Sequence, residues 1–354
     1  MAKLAQITQL TGGWEMSTVM VTGGAGFIGS NFVRYFLEKY PDYNVVVYDN
    51  LTYAGNTENL SDLEENPRFH FVPGDILSAR TVRWTIKKYG VDAIVNFAGN
   101  THVDRSIGFP ATDFVQTNML GPYHLLEVAR EVSIRRFVQV STDEVYGQIT
   151  APRLAREEDS LNPRNTYSVS KAGGDLMALA YHQMHNIPVM VTRGSNTFGP
   201  YQYIEKLIPF FIVSALNEKP LPIYGKGDQI RDWTYVLDHC SAIDLVLHKG
   251  EPGQIYNVGS GNEVSNIDLT QRILDILHYP HSLIKHVSDR PGHDQRYALD
   301  TSKIRSLGWK PAHDFNAYLE KTVLWYVENR KWWEKIFALP EFQDYYNKQY
   351  ERRI

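Results

Sequence analysis

The stretch that decides the fold is Val19-Met-Val-Thr-Gly-Gly-Ala-Gly-Phe-Ile-Gly-Ser30. It is an apolar run, a turn holding Gly23, Gly26 and Gly29, and then an amphipathic segment, Asn31-Phe-Val-Arg-Tyr-Phe-Leu-Glu38. This order reads as strand, glycine turn and helix. The glycines make the tight turn, let the backbone approach a pyrophosphate, and pack the helix against the sheet. Backbone N–H groups at the helix start then meet phosphates with the positive end of the helix dipole. Glycine-rich turns also arise for purely structural reasons, so the context decides. A second apolar run, Asn44-Val-Val-Val-Tyr48, ends in Asp49, about 20 residues past the last glycine, where an acid accepts hydrogen bonds from an adenosine ribose. Its charge would repel a 2′-phosphate, which favours NAD over NADP.

Outward from this unit, short apolar runs alternate with helical spacing: Arg68–Val72, Thr81–Tyr89, Asp92–Phe97, Phe114–Val132, Arg136–Val140, Tyr167–His185 and Pro188–Thr192. That alternation predicts an α/β fold, a Rossmann-type doubly wound parallel sheet with right-handed crossovers. Beyond Arg193 it breaks down into a smaller mixed α/β C-terminal region, expected to bind substrate, with strands at Leu221–Tyr224 and Ile255–Val258. The expected division is a disordered extension over 1–17, a nucleotide-binding domain over 18–193 and a second region over 194–335. Part of that region returns to the first, and 336–354 is set apart as a C-terminal tail; the aromatic, charged stretch Trp332 to Ile354 is expected to form a surface or interface helix.

Composition narrows the function classes. The 354 residues carry 43% hydrophobic and 21% charged side chains, ordinary for a globular protein with a sizeable core. A net charge of −4 leaves no polybasic footprint, so nucleic acid is not an expected partner. The single Cys240 excludes an intramolecular disulfide and a cysteine-based zinc cluster, and no metal is expected. No run approaches the roughly 20 apolar residues of a membrane span, and the opening lacks a signal-peptide core, so the expected compartment is the cytoplasm.

Ligands of open parallel sheets bind at the C-terminal ends of the strands. Polar residues gather there: Asn100-Thr-His-Val-Asp104, Ser141-Thr-Asp-Glu144 and, opening a helix, Tyr167-Ser-Val-Ser-Lys171. Tyr167 and Lys171 share one helix face. An ammonium beside the phenol, with a positive nicotinamide, is expected to lower the tyrosine pKa so that it acts as a base. Asp143 and Glu144 would face opposite ways in a continuing strand, so for both to meet one substrate the strand must end by about Thr142.

With these motifs in order, the chain resembles the extended short-chain dehydrogenase/reductase superfamily from roughly Val19 to Trp333. Within it the match is to the nucleoside-diphosphate-hexose 4,6-dehydratases, of which dTDP-glucose 4,6-dehydratase is the type. The matching motifs are Thr22–Gly29, Leu51–Asn56, Thr101–Ile107, Ser141–Gly147, Tyr167–Lys171, Glu205–Pro209, Arg231-Asp-Trp233 and Asp289–Asp294.

The resemblance implies a reaction. Tyr167 removes the O4 proton beside Thr142, with Lys171 as its partner, while hydride passes from C4 to NAD. Glu144 abstracts the C5 proton, Asp143 protonates the departing C6 hydroxyl, and the hydride returns to C6. It implies a tightly held, internally regenerated NAD contacted by Gly23, Gly26, Phe27, Ile28, Gly29, Asp49, Asn50, Thr52, Asp75, Ile76, Ala98, Tyr167 and Lys171. It implies substrate contacts from Thr101, His102, Thr142, Asn196, Lys206, Leu207, Pro222, Ile223, Tyr224, Arg231, Asn266, Arg290 and His293. It also implies a homodimer through helices 113–131 and 167–185.

The chain departs from the family pattern at Gly99-Asn100, in Gly194-Ser-Asn-Thr-Phe-Gly199, and at Ile204. A wall widened by Gly99 and neutralised by Asn100 would admit an N-acetyl group if it bordered the hexose. The expected substrate is therefore dTDP-glucose, with UDP-N-acetylglucosamine close behind. A UDP-hexose 4-epimerase shares the fold but normally lacks the Asp143-Glu144 pair. A non-enzymatic NAD-binding protein has no reason to keep all five catalytic residues together.

Overall fold

The computed structural model describes residues 17–108, 111–289 and 292–348. The extension expected over 1–17 thus falls, but for Ser17, outside the described residues, as does Arg290. A seven-stranded sheet forms the centre. Its strands are β1 (Thr18–Thr22), β2 (Asn44–Asp49), β3 (Phe69–Pro73), β4 (Ala93–Asn96), β5 (Arg136–Thr142), β6 (Val189–Gly194) and β10 (Ile255–Val258). Their order is β10-β6-β5-β4-β1-β2-β3, and every pairing is parallel. The order reverses between β1 and β4, which opens a crevice at that switch point.

Near-continuous apolar strands suit a sheet covered on both faces. Alternate residues divide between the faces. Val19 and Val21 of β1 join one core with Phe32, Val33 and Phe36 of the helix Phe27–Lys39 and with Ile243 and Val246 of the helix Val236–Lys249. Met20 joins the opposite core with Val82, Leu125 and Ala178, from the helices Ala79–Tyr89, Gly121–Val132 and Thr166–His185.

Between β6 and β10 the chain leaves the sheet and builds β7 (Asn196–Phe198), β8 (Leu221–Tyr224) and β9 (Ile230–Tyr235); after β10 come β11 (Glu263–Ser265) and β12 (Ile284–Val287). These form a three-stranded sheet, β11-β9-β7, and a two-stranded one, β12-β8.

The aromatic tail corrects the expectation of a surface helix. In the helix Arg330–Phe337, Trp332, Trp333 and Ile336 share one face, and all three are buried in the larger core. Tyr326, one helix earlier, is fully buried, and its hydroxyl donates to the Gln202 carbonyl at 2.6 Å. Trp332 Nε1 donates to Asn59 Oδ1 at 2.9 Å, and Asn59 Nδ2 donates to the Ala25 carbonyl, inside the glycine turn, at 2.9 Å. The charged residues Lys331, Glu334 and Lys335 fall on the outer face.

Truncating the fully buried Trp333 to alanine is expected to cost about 3–5 kcal/mol of unfolding free energy. Truncating Trp84, which is 51% exposed, should cost less than about 1 kcal/mol. Urea unfolding of the two variants measures the contrast, and equal losses would contradict the packing described.

Candidate active site

β5 ends at Thr142, and a single 3₁₀ turn, Asp143–Tyr146, follows at once. Thr142 caps that turn, its Oγ1 accepting from the Glu144 N–H at 3.3 Å. The period-two alternation therefore stops where the acids begin, and Asp143 and Glu144 both line the same cleft. Thr142 Oγ1 donates to Asp143 Oδ1 at 3.1 Å. Asp143 is buried, and burial pushes its carboxyl well above the usual range, with the neighbouring Glu144 adding to the rise. Glu144 Oε2 accepts from Asn165 Nδ2 at 3.2 Å. The same Asn165 caps the next helix through its Oδ1, which accepts from the Ser168 N–H at 2.8 Å. Asn165 was not singled out in the sequence, although an Asn-x-x-Ser capping box was there to be read.

That cap starts the helix Thr166–His185 with Tyr167 and Lys171 in its first turns, both buried against the end of β5. Lys171 Nζ donates to the Val140 carbonyl at 2.6 Å, and burial pushes its ammonium down to about 8. The expected lowering of the Tyr167 pKa counts on a nicotinamide's positive charge, and the protein's own groups act the other way. Burial raises it strongly, the Glu144 charge adds to that, and only the Thr142 hydroxyl among the larger influences works the other way. The lysine is turned to a carbonyl and the charges near the phenol are carboxylates, so the protonated form wins.

A cleft of about 270 Å³ runs from Asp49 at the end of β2, past Gly23, Gly26, Phe27, Ile28 and Gly29, to Thr142, Asp143, Glu144, Tyr167 and Lys171. Asn50, Thr52, Ile76 and Ala98 line it too. Asp75 does not: its Oδ1 accepts from the Leu77 N–H at 2.8 Å and its Oδ2 from Asn50 Nδ2 at 3.3 Å. Asp49 has a second task, its carboxylate accepting from the Ala25 N–H at 2.9 Å and the Leu51 N–H at 2.8 Å. A Cβ on Gly29 would stand 2.4 Å from the Gly23 carbonyl oxygen, so the turn closes only around glycine. This elongated cradle, with an acid at one end and a phenol at the other, fits a dinucleotide.

A second cavity, about 170 Å³, is lined by Thr101, His102, Asn196, Lys206, Leu207, Pro222, Ile223, Tyr224, Arg231, Asn266 and His293. The two cavities share Thr101, Glu144, Asn196, Glu205 and Lys206, so Glu144 stands where they meet. Lys206 Nζ donates to the Thr101 carbonyl at 2.6 Å. The Arg231 guanidinium donates to the Asp294 carbonyl at 2.9 Å and lies 4.2 Å from the Tyr297 ring centre. Glu205, which is not among the expected site residues although it opens the Glu205–Pro209 motif, is buried and paired with Arg105 at 2.7 Å. Its carboxyl stays below the usual range because the His102, Arg105 and Lys206 charges outweigh burial.

Gly99 and Asn100 line the first cleft and not the second. A Cβ on Gly99 would stand 3.0 Å from Asn118 Oδ1 and 3.7 Å from Lys171 Nζ. The Asn100 side chain donates to the Asp113 carbonyl at 3.1 Å and to Thr117 Oγ1 at 3.3 Å. Asn118, in the π-helical turn Gln116–Leu120, clasps both backbone groups of Asn100 and donates to Ser170 Oγ at 2.8 Å. The room left by glycine is thus on the Lys171 side.

Residues 20–322 match the family model described as GDP-mannose 4,6 dehydratase. The low-salt glycan biosynthesis protein Agl12 of Haloferax volcanii is 49% identical over 309 residues, 87% of this chain and 98% of that protein. The dTDP-glucose 4,6-dehydratase of Streptomyces niveus is 48% identical over 329 residues, covering 91% and 96% of the two chains. Among solved structures, DesIV, the dTDP-glucose 4,6-dehydratase of Streptomyces venezuelae with NAD and TYD bound, superimposes with a TM-score of 0.87 at 48% identity. The match covers 90% of this chain and 99% of that one.

The raised Asp143 pKa makes stability depend on pH with a definite sign. Between the unfolded value near 3.8 and the higher folded value, the folded state holds a proton that the unfolded state has lost, so stability falls as pH rises. Asp143→Asn removes that penalty. Its melting temperature should exceed that of the unsubstituted protein by more at pH 7 than at pH 4, measured by calorimetry at both.

Proposed function

The chain belongs to the GDP-mannose 4,6-dehydratase family, and we propose that it dehydrates a nucleoside-diphosphate hexose, dTDP-glucose in the first place, to the 4-keto-6-deoxy sugar nucleotide. The observation that carries this is the adjacent pair Asp143-Glu144, which lines the first cleft together with Tyr167 while Glu144 also reaches the second cavity. NAD suits the first cleft, with Asp49 at the ribose and the glycine turn at the pyrophosphate. When bound, it supplies a hydride acceptor for C4 and returns the hydride to C6.

The remaining work falls to the side chains. Tyr167 takes the O4 proton while Thr142 holds the oxygen. A buried phenol flanked by carboxylates needs positive charge beside it to become a base, and Lys171 with the oxidised cofactor ring provides it. The resulting 4-ketone acidifies C5–H, which Glu144 removes. Asp143 keeps its proton through burial and gives it to the leaving C6 oxygen, so adjacent carboxyls divide the acid and base roles. Lys206, Arg231 and His293 suit the diphosphate, while Leu207, Pro222, Ile223, Tyr224 and Asn266 suit the nucleoside. All eight come from the 194–335 segment, which supports reading that segment as mainly substrate-binding. Arg290, outside the described residues, is assigned with the diphosphate group by resemblance alone.

UDP-N-acetylglucosamine becomes the weaker reading, because the relative from Streptomyces niveus and DesIV are dTDP-glucose 4,6-dehydratases, and Asn118 Oδ1 already stands 3.0 Å from where a Cβ on Gly99 would be, which leaves little added room there. A 4-epimerase would leave Asp143 and Glu144 without a task. A homodimer fits the apolar side chains left exposed on the two helical stretches expected to pair: Val115, Leu120, Val169, Leu176 and Met184. No helix among the described residues is long and apolar enough to cross a membrane, and we assign the protein to the cytoplasm.

Incubation with dTDP-glucose should yield a product lighter by one water, read by mass spectrometry; unchanged mass with altered stereochemistry would point to epimerisation. Glu144→Gln should still oxidise C4, seen as NADH absorbance, while dehydration slows by about 10²–10⁴-fold. Leu176→Glu should shift the protein from dimer to monomer in analytical ultracentrifugation, and a monomer before substitution would remove the dimer reading.

A further inference from the structure

Two residues of the Gly194–Gly199 run, in which the chain departs from the family pattern, meet on one side chain: Gly194 and Thr197. His239, in the helix Val236–Lys249, is 2% exposed and lines the first cleft together with both. A Cβ on Gly194 would stand 2.5 Å from the imidazole Cε1 and 2.7 Å from Nε2. Any larger residue there would displace the ring or cover it. Thr197 Oγ1 lies 2.7 Å from Nδ1 and 3.2 Å from the Ser195 carbonyl oxygen.

The hydroxyl has one proton to donate, and a carbonyl only accepts. Both contacts are hydrogen bonds only if Thr197 donates to Ser195 and Nδ1–H donates to Thr197. That tautomer leaves Nε2 as a bare lone pair. Burial pushes the imidazole down to about 4, so the ring is neutral near pH 7. Nε2 is buried and has no hydrogen-bond partner among the described residues, a state that is costly for a polar group.

Its position indicates what completes it. Gly194 ends β6 in register with Thr142 of β5, whereas Asp49 ends β2, across β4 and β1 in the sheet. His239 therefore stands at the end of the cleft remote from Asp49. With the adenosine at Asp49, the nicotinamide lies at this end, and its carboxamide carries an N–H₂ donor.

We infer that His239 Nε2 accepts a hydrogen bond from the carboxamide N–H₂ of bound NAD, a contact uncovered by Gly194 and oriented by Thr197. The inference rests on the NAD reading above. It makes His239 a cofactor-contact residue that fixes the rotation of the nicotinamide ring toward the sugar.

The test compares NAD⁺ with its 3-acetylpyridine analogue, which keeps the carbonyl and lacks the N–H₂. Equilibrium binding of each to the cofactor-stripped protein is measured by calorimetry, for the unsubstituted chain and for His239→Leu. The preference for NAD⁺ over the analogue should shrink by about five- to tenfold in His239→Leu, with the analogue's own affinity unchanged, as loss of one hydrogen bond requires. An unchanged preference overturns the inference. A merely structural role would lower both affinities together and leave their ratio alone. His239→Gln, which keeps an acceptor oxygen, should recover part of the ratio. If His239→Leu does not fold, Thr197→Val serves, because it frees the tautomer and should also lower the preference; an unchanged ratio there overturns the inference equally. Failure of the unsubstituted chain to bind NAD⁺ at all would instead remove the cofactor reading.

Discussion

Everything chemical in this molecule depends on where one strand stops. A parallel strand sends successive side chains to opposite faces, and Asp143 and Glu144 would part company if β5 ran two residues further. The stop is made by Thr142, whose hydroxyl meets the Glu144 N–H and starts a 3₁₀ turn. The same hydroxyl reaches Asp143 Oδ1. One threonine thus terminates a strand, caps a turn and orients an acid. A valine of equal shape would leave the Glu144 N–H without that partner.

The second determinant is dryness. Asp143, Tyr167 and Lys171 are each buried, and desolvation is the largest influence on each. It acts the same way on all three: acids keep their protons and the ammonium loses its hold on one. Asp143 and Tyr167 therefore rest protonated, while Lys171, at about 8, keeps most of its positive charge near pH 7. Further charge enters this site with the ligands, and the groups respond to it.

How much of this could be read beforehand varied with the range of the physics involved. The glycine turn, Asp49 and the alternating strands are local patterns, and they lead directly to the sheet. The end of β5 was inferable from the need for two acids to face one substrate. The Asn165 cap is a local pattern, but its hold on Glu144 and the Asn118 clasp on Asn100 join distant segments and are not legible in the sequence. The protein's own groups raise the Tyr167 pKa, and a shared helix face says nothing of where a lysine side chain points, so the lowering falls mainly to the cofactor's charge. Gly99 and Asn100 were visible as oddities, but only three dimensions show that they face Lys171 and not the second cavity. The tail was misplaced for a related reason. Its aromatic face needed a partner, and the partner lies nearly the whole chain away.

That distance has a consequence for how the protein is made. The Ala25 carbonyl in the glycine turn is held by Asn59, and Asn59 is held by Trp332. Some three hundred residues separate the turn from the indole that braces it. At about 5–20 residues per second, the first strands wait roughly 15–60 s on the ribosome before that brace exists. The sheet can pair earlier, but the turn acquires its final rigidity last. Nascent chains are thus exposed for most of their synthesis with an unfinished crevice, and completion of the fold coincides with the emergence of its far end.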